Sequence, residues 1–453
     1  MKLVFNVNDK PSFPQLVVFA FQQLLAIMAA TIAVPLIIGN NMSTAAALFG
    51  AGIGTIVYLF FTQRKSPVFL GSSFAFIGSM ATAFASAVSI QAGYAGIILG
   101  AIFAGLVYVV FAFIVKTVGT GWINKLMPPI VIGPTVSIIG LSLAGNAVAD
   151  LQKSSLTQQN TQFAVVCGLV ALLATMLCST YGKKNLKMIP FIIGILAGYA
   201  VAAIFTCIGL RTGYEAMQII DFSPITALGK DGISLSTFIS VPDFTFLTAL
   251  KGVRELDVSY IGTIFAAYVP VAFVVFAEHI ADHKNISSII ESDLLEDPGL
   301  HRTLLGDGVG SMIGAFFGGC PNTTYGESVA CVAITKNAST ATILATAIEC
   351  ILISFLSPFI AFISSIPCCV MGGVCMALYG FIAVSGLKMV QRADLDVNKN
   401  LYVVSTILIS GIGGLSLTFG NITITTIACS LILGIIVNKL LSYDPESRTD
   451  NDL

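Results

Sequence analysis

Charged residues are scarce in this chain of 453 residues. Asp, Glu, Lys and Arg together make up 10% of the sequence, whereas about 25% is usual in a soluble domain. Hydrophobic residues reach 56%, and this combination excludes a soluble globular protein. The formal net charge is −1 and no block of basic residues is present, so nucleic acid is not an expected partner.

Metal ligands and catalytic groupings are also lacking. Histidine occurs three times, and the ten cysteines show neither the paired spacing of a zinc site nor the pattern of a disulfide framework. No nucleophile–base pair or phosphate loop is evident, so the sequence predicts neither an enzyme nor a bound cofactor. Five cysteines lie in apolar stretches, where small buried hydrophobic residues are expected: Cys167, Cys178, Cys207, Cys350 and Cys429.

Apolar runs of about twenty residues, each long enough to cross a bilayer as a helix, recur along the chain. The polar residues ahead of the first run lack a small-residue cleavage site, so this run is expected to be a retained membrane helix. The predicted fold class is an all-α polytopic membrane protein. Its fourteen candidate spans are 14–39, 43–62, 67–86, 91–115, 127–148, 161–180, 188–209, 258–281, 303–319, 322–335, 339–364, 367–387, 401–419 and 422–441.

The positive charges support fourteen spans with both termini in the cytoplasm. The spans form two sets of seven, and an odd number in each set gives the two halves opposite orientations, as in inverted-repeat transporters. Under this topology only five of the 22 Lys and Arg residues lie outside, four of them in the long connection between the halves: Lys153, Arg211, Lys230, Lys251 and Arg254.

Two spans contain segments that disfavour a continuous helix. Residues 67–76 in the third span combine Gly71 with serines and aromatic residues, and residues 318–327 in the tenth add Pro321. Non-helical backbone is tolerated in a membrane where it is buried or lines a cavity. Because the two segments lie at equivalent places in opposite halves, they predict a central binding site. The alternative is ordinary packing of glycines between helices.

Acidic residues in the apolar spans are the first candidates for function, because a charge is costly to bury there. Glu278 and Asp282 are four residues apart and share one face of a helix, where two carboxylates favour binding of a proton. The alternative is a pair of solvated charges at the cytoplasmic end of the span. Glu327 follows the tenth-span broken segment directly and is expected to face the same cavity.

Other polar residues have plainer interpretations. Asp307 is expected to join packed helices through hydrogen bonds rather than to contact a ligand. Glu349 is interpreted as a structural acid, an interface residue or a coupling group, and the sequence does not decide between these. His279 is expected to face away from the acid that precedes it, while His283 and His301 are expected to lie in a solvated connection.

Carboxylates beside the N–H groups of broken helices suit a small ring that carries both N–H donors and carbonyl acceptors. Uracil-like and xanthine-like rings fit this description, and Phe74 and Tyr325 would add an aromatic wall. A strongly anionic ligand fits less well, because the spans contain no Lys or Arg apart from Lys439 near the end of the last span.

The chain contains five distinctive motifs: Gly71-Ser-Ser-Phe-Ala-Phe76, Ala277-Glu-His-Ile280, Glu296-Asp-Pro-Gly-Leu-His-Arg302, Pro321-Asn-Thr-Thr-Tyr-Gly-Glu327 and Met371-Gly-Gly. Together they closely resemble the motifs of bacterial uracil permeases in the nucleobase-ascorbate transporter (nucleobase:cation symporter) family. This resemblance implies proton-coupled uptake of a nucleobase, uracil first, by an elevator-like movement in the bacterial inner (plasma) membrane, commonly as a homodimer. Some branches of the family use sodium instead of protons.

The family fold implies a core domain and a gate domain, each drawn from both halves. The core would contain residues 14–115 and 258–364, and the gate residues 127–209 and 367–441. Residues 210–257 would form an extracellular connection. Short antiparallel strands in segments 3 and 10 would meet at the substrate.

The resemblance also assigns site residues. The carboxylates of Glu278 and Glu327 would bind the base, and the main chain of Phe74, Tyr325 and Gly326 would donate to its carbonyl groups. The full substrate-binding set is Glu278, Glu327, Phe74, Tyr325, Gly326, Ala30, Ser73 and Tyr379.

The chain departs from the family pattern at several positions. Asp282 replaces a histidine used in proton coupling and His283 follows it, so coupling is assigned to Glu278, Asp282 and His283 together. The other departures are Gln22-Gln23 for the usual Gln-His, Ser328 for Asn and Ala330 for Gly.

Several alternatives to a uracil carrier stay open. A purine or xanthine carrier, or a sodium-coupled carrier, would share the fold, and a nucleobase-gated channel or a sensor is a more distant possibility. A sulfate or bicarbonate exchanger would also share the fold, but it is expected to have a basic residue at the site, and none is evident.

Overall fold

The computed structural model describes residues 3–119, 128–183, 186, 189–230, 232–391, 393–419 and 422–442. The elements of the first half are α1 (Phe13–Ile38), α2 (Thr44–Phe61), β1 (Leu70–Ser72), α3 (Ile77–Ala85), α4 (Ile90–Val118), α5 (Pro129–Ser142), α6 (Ala144–Gln152), α7 (Gln162–Tyr181) and α8 (Pro190–Thr212). Short helices follow in the connection: α9 (Ser223–Ala227), α10 (Leu235–Phe238) and α11 (Thr245–Gly252). The second half contains α12 (Val258–Ile290), α13 (Leu300–Gly318), β2 (Asn322–Thr324), α14 (Gly326–Thr335), α15 (Thr340–Ser354), α16 (Ser357–Ser364), α17 (Cys368–Val390), α18 (Asn398–Ile412), β3 (Leu417–Phe419), β4 (Ile422–Ile424) and α19 (Thr426–Leu440).

Within these described ranges, eight helices are long and apolar enough to cross a membrane. Six further predicted spans contain shorter or less apolar helices, and the third and tenth each begin with a strand, as the resemblance implies. Apolar side chains on the outer faces are exposed, such as Phe113 at 68% and Ile409 at 72%, which is the surface expected next to lipid. The chain is therefore a multi-pass membrane protein.

Three sequence predictions differ from the structure. The eighth span ends at Ile290 rather than at residue 281, so Asp282 and His283 are helical. The hairpin of β3 and β4 interrupts the spans predicted at 401–419 and 422–441. Cys207 is exposed and Cys178 is half-exposed, because apolar helices here face lipid as well as the protein interior.

The helices pack in two groups. In the first group, α13 packs between α2 and α4, α15 packs on α1 and α2, and α12 packs on α3 and α4. In the second group, α17 packs on α5, α6 and α7, and α18 packs on α5 and α19. The groups meet where α1 contacts α8 and α17, and where α12 contacts α5, α19 and β4.

Close helix contacts in the first group depend on glycine. A methyl group on Gly54 of α2 would lie 2.8 Å from the carbonyl oxygen of Gly310 on α13, and one on Gly50 would lie 2.4 Å from that of Gly314. Main chains at this separation leave no space for a side chain. The glycines thus hold α13 against α2 and fix the start of β2, which follows α13 directly.

Candidate functional site

Two short strands form the centre of the site. β1 and β2 pair antiparallel, with Gly71 opposite Thr323. Ser73 N–H donates to the Pro321 carbonyl at one end of the pair (2.9 Å). Tyr325 N–H donates to the Phe69 carbonyl at the other end (3.2 Å). The strand residues are buried, so their polar main-chain groups are paired with each other where water is excluded.

A glycine is required in the middle of β1. A methyl group on Gly71 would lie 2.3 Å from two ring carbons of Tyr325. The Tyr325 hydroxyl donates to the Ser72 carbonyl (2.7 Å), so this ring is fixed across β1 and has little freedom to move. Gly71 therefore allows the aromatic residue of one broken segment to lie against the strand of the other.

Helices begin where the two strands end. A 3₁₀ turn at Phe74–Phe76 leads into α3, and α14 begins at Gly326. The first N–H groups of a helix have no partner within the helix, and they lie at the positive end of its dipole. Since β1 and β2 are antiparallel, the two helices start at opposite ends of the pair. Their N-termini offer two sets of donors to carbonyl oxygens of a ligand.

The main chain of Tyr325 differs from the prediction. Its N–H group already donates to Phe69, so it is not available to a ring carbonyl. The expected main-chain donors at Phe74 and Gly326 are not affected by this bond. Gly326 is exposed, in contrast to the buried strand that precedes it, and this opens a space at the start of α14.

Carboxylates border this space. Glu278 and Asp282 lie on α12 and Glu327 lies in the first turn of α14, and all three are half-buried. Asp282 Oδ2 accepts a hydrogen bond from Thr324 Oγ1 (2.8 Å). A methyl group on Gly326 would lie 3.7 Å from Asp282 Oδ1. One carboxylate oxygen of Asp282 thus anchors β2, and the other oxygen lies beside the exposed main chain at the start of α14.

The acids are close enough to influence one another. Glu278 has electrostatic interactions with Asp282, Glu327 and Asp307. The i, i+4 spacing on α12 brings the first two to one helix face, as the sequence predicts. Several carboxylates around one cavity repel each other when ionised, so proton binding and ligand binding are physically linked here.

A buried polar cluster lies behind the strands. His279 Nδ1 is 2.7 Å from Asp307 Oδ2, and His279 Nε2 is 3.0 Å from Thr303 Oγ1. Thr323 Oγ1 donates to the same Asp307 oxygen (3.3 Å). The expectation that Asp307 joins packed elements by hydrogen bonds is confirmed, since it links α12, α13 and β2.

The expectation of a solvated His283 is wrong. His283 is fully buried on α12, where Nδ1 donates to the His279 carbonyl (2.8 Å) and Nε2 lies 2.7 Å from the Tyr58 hydroxyl. The helix continues to Ile290, and Ile286 packs in one buried cluster with Tyr58 of α2, so His283 is enclosed between α12 and α2. His301 is partly exposed in the first turn of α13.

The remaining predicted residues lie around the strand pair. Ala30 is fully buried on α1, which packs on β1 and α14. The ring of Tyr379 on α17 meets the ring of Phe74 edge-on, with centroids 5.9 Å apart. The Ser73 hydroxyl is buried and has no hydrogen-bond partner among the described residues. The two helix groups therefore meet at the candidate site through Phe74 and Tyr379.

Some site residues were not predicted from the sequence. Thr323 and Thr324 anchor two of the acids, and Tyr58 binds His283. The two threonines lie inside the broken segment of the tenth span, where hydroxyl groups beside intramembrane acids were an available signal. Glu349 lies on α15, and one of its carboxylate oxygens is buried without a partner among the described residues.

Comparison with known proteins places this geometry in a family. The Permease family model Xan_ur_permease matches residues 14–420. The chain is 36% identical to the uracil permease of Bacillus subtilis (strain 168), an alignment that covers 99% of this chain and 98% of that protein. It is 35% identical to the uracil permease of Escherichia coli (strain K12), over 96% of this chain and 94% of that protein.

Solved structures share the fold at low sequence identity. The transmembrane domain of the cyanobacterial bicarbonate transporter BicA has a TM-score of 0.64 and 15% identity, covering 96% of this chain and all (100%) of that chain. SLC26A9 has a TM-score of 0.65 and 10% identity, covering 94% of this chain and 64% of that chain. The chain is a membrane transporter and belongs to the Permease family described by Xan_ur_permease.

Proposed function

We propose that this chain imports uracil together with protons. The observation that carries the proposal is a buried strand pair with a helix N-terminus at each end, at Phe74 and at Gly326, beside the three carboxylates of Glu278, Asp282 and Glu327. A uracil ring alternates N–H donors with carbonyl acceptors, which is the complement of carboxylates and main-chain N–H groups. The names of the relatives that cover nearly the whole chain support the same substrate.

Each part of the site has a role in this proposal. Glu278 and Glu327 accept hydrogen bonds from ring N–H groups, while the N–H groups at Phe74 and Gly326 donate to ring carbonyls. Tyr379 and Phe74 cover the ring from the side where the two helix groups meet. Ala30 and Ser73 complete the wall without adding charge.

Proton coupling follows from the crowding of acids. With Glu278, Asp282 and Glu327 around one space, a neutral base binds best when at least one acid carries a proton, because repulsion between carboxylates is then reduced. Loading from a more acidic exterior and release to a more alkaline interior would make uptake follow the proton gradient. We assign the transported proton to Glu278 and Asp282, with His283 positioned behind them through Tyr58. Sodium is the alternative coupling ion.

The proposed architecture is fourteen spans in two inverted repeats of seven. The register of β1 and β2, with helices starting at opposite ends of the pair, is the local arrangement that a two-fold axis in the membrane plane generates. The two helix groups support a core of 14–115 with 258–364 and a gate of 127–209 with 367–441. An elevator movement of core against gate, cytoplasmic termini, a homodimer and a bacterial inner membrane complete the proposal.

Initial-rate uptake into proteoliposomes with an inward proton gradient tests the substrate. We expect saturable uptake of radiolabelled uracil that excess xanthine does not reduce and that sodium does not stimulate. Competition by xanthine would move the assignment to purines, and stimulation by sodium would replace the proton. Non-saturable flux would indicate a channel.

Glu278→Gln tests the residue assignment. The amide keeps the size of the side chain but cannot hold a transferable proton, so we expect loss of gradient-driven uptake. Glu215→Gln, in the exposed outer connection, is the matched control and should transport normally. Wild-type uptake with an unchanged pH response in Glu278→Gln would contradict the assignment.

A further inference from the structure

Two buried polar residues from distant parts of the chain meet in the structure. Gln23 on α1 and Ser328 in the first turn of α14 are 305 positions apart in the sequence, yet Gln23 Nε2 donates to Ser328 Oγ (2.5 Å). The same amide also donates to the Ser328 carbonyl (3.3 Å). Gln23 is 3% exposed and Ser328 is 0% exposed, so no solvent competes for these bonds.

A third segment joins at the same hydroxyl. Phe69 N–H, at the entry to β1, donates to Ser328 Oγ (3.0 Å). The carbonyl of Phe69 accepts the N–H of Tyr325 (3.2 Å), so α14 holds the main chain of Phe69 on both sides. Ser328 thereby extends the pairing of β1 and β2 into the first turn of α14. We call this meeting of Gln23, Phe69 and Ser328 the three-way junction.

The three-way junction borders the candidate site without facing it. Ser328 directly follows Glu327 and lies two residues from Gly326, so a fixed Ser328 fixes both of these groups. Gln23 and Ala30 are seven residues apart, which places them on the same face of α1, about 10 Å apart along the helix. One hydroxyl therefore sets the distance between the wall at Ala30, the strand pair and the acid of α14.

We propose that Gln23 and Ser328 are positioning residues that set the affinity of this transporter for its nucleobase. They act on the ligand through Glu327 and Gly326 and do not contact it themselves. This inference rests on the proposed function. It goes beyond that function because it gives a role in substrate affinity to two buried residues outside the proposed binding set.

The proposal predicts a specific pattern of kinetics. Removal of the hydroxyl in Ser328→Ala leaves the buried Phe69 N–H without its acceptor and leaves Gln23 Nε2 with only the longer bond to the carbonyl of residue 328. We expect KM to rise about tenfold, which equals about 1.4 kcal/mol, the size of effect expected for a lost buried hydrogen bond. The maximal rate should change much less, because the groups that exchange protons are unaltered.

A double-mutant cycle tests the coupling of the two residues. Gln23→Leu keeps the approximate size of the side chain and removes the donor, and it serves as the milder variant if Ser328→Ala folds poorly. Because Gln23 acts through Ser328, the variant Gln23→Leu/Ser328→Ala should have a KM no higher than that of Ser328→Ala alone. Additive changes in KM would overturn the proposal.

Stability is measured in parallel to separate positioning from a structural role. Ser430 is a matched control, since it is fully buried on α19 and accepts a hydrogen bond from Ser410 (3.0 Å) in the second helix group. Ser430→Ala should lower the melting temperature and leave KM unchanged. If Ser328→Ala behaves like Ser430→Ala, with a lower melting temperature and normal KM, the proposal is wrong.

Failure of the proposed function is recognised separately. Wild-type uptake of uracil or of another base in the panel decides that function, and the cycle is run on whichever base is transported. If no base is transported, hydrogen exchange of the Phe69 amide decides the three-way junction. Faster exchange in both single variants supports it, and unchanged protection overturns it.

Discussion

Gly71→Ala should disrupt the site through a single added methyl group. The methyl carbon would lie 2.3 Å from two ring carbons of Tyr325 and 2.8 Å from its hydroxyl oxygen, well inside van der Waals contact. The ring is 4% exposed and its hydroxyl donates to Ser72, so it has no open space to enter. Relief of the overlap requires the ring or β1 to move.

The magnitude follows from two costs. Overpacking a filled interior costs about 1–3 kcal/mol, and loss of the Tyr325–Ser72 hydrogen bond adds about 1 kcal/mol. The total cost of about 2–4 kcal/mol is divided between the free energy of unfolding and the free energy of uracil binding. If half of this cost is a loss of binding free energy, the affinity for uracil falls by about tenfold.

Equilibrium binding of radiolabelled uracil to purified protein, together with thermal unfolding, measures both parts. Gly78→Ala is the control, because a methyl group on this exposed glycine of α3 has no neighbour within 4 Å. We expect normal binding and an unchanged or slightly higher melting temperature for the control. A Gly71→Ala protein that binds uracil and unfolds as the wild type does would refute this reasoning about the strand pair.

Three further changes test other contacts of the site. Thr324→Val removes the hydroxyl that donates to Asp282, a hydrogen bond worth about 0.5–1.5 kcal/mol, so uracil affinity should fall by several-fold in a binding assay. Normal affinity would show that the position of Asp282 does not depend on β2. Tyr379→Ala should raise the KM of uptake by several-fold, because it removes an edge-on ring pair worth about 0.5–1.5 kcal/mol. Tyr379→Phe keeps the ring and should have a KM near that of the wild type. Equal effects of the two substitutions would contradict the packing role. His279→Ala leaves the buried Asp307 without its imidazole partner and should clearly lower the melting temperature. His301→Ala, at a partly exposed position, should leave the melting temperature unchanged. A larger decrease in His301→Ala than in His279→Ala would contradict the role of the buried cluster.

The broken segments and the acids of α12 were predictable because their physical signals are local. Gly71 and Pro321 disfavour helix within apolar runs, and the structure has a short strand in each of these segments. The spacing of Glu278 and Asp282 places them on one helix face, and the helix does continue past residue 282. Both inferences depend on residues that are neighbours in the sequence.

Contacts between distant segments were not predictable in this way. The burial of His283 depends on Tyr58 of α2, and the anchoring of Asp282 depends on Thr324 of β2. The β3–β4 hairpin had a usable local signal, since large apolar residues alternate with threonine at 417–419 and 422–424, on either side of Gly-Asn. An average of hydropathy over a long window conceals this alternation, so the sequence predicts two continuous spans here.

The central claim is that uracil and protons cross the membrane together. The most direct measurement is the internal pH of proteoliposomes, reported by an enclosed dye, when uracil is added outside at equal pH and with the membrane potential clamped at zero. The account predicts internal acidification that saturates with uracil, is absent with xanthine and is abolished in Glu278→Gln. Uptake of radiolabelled uracil with no accompanying acidification would contradict it.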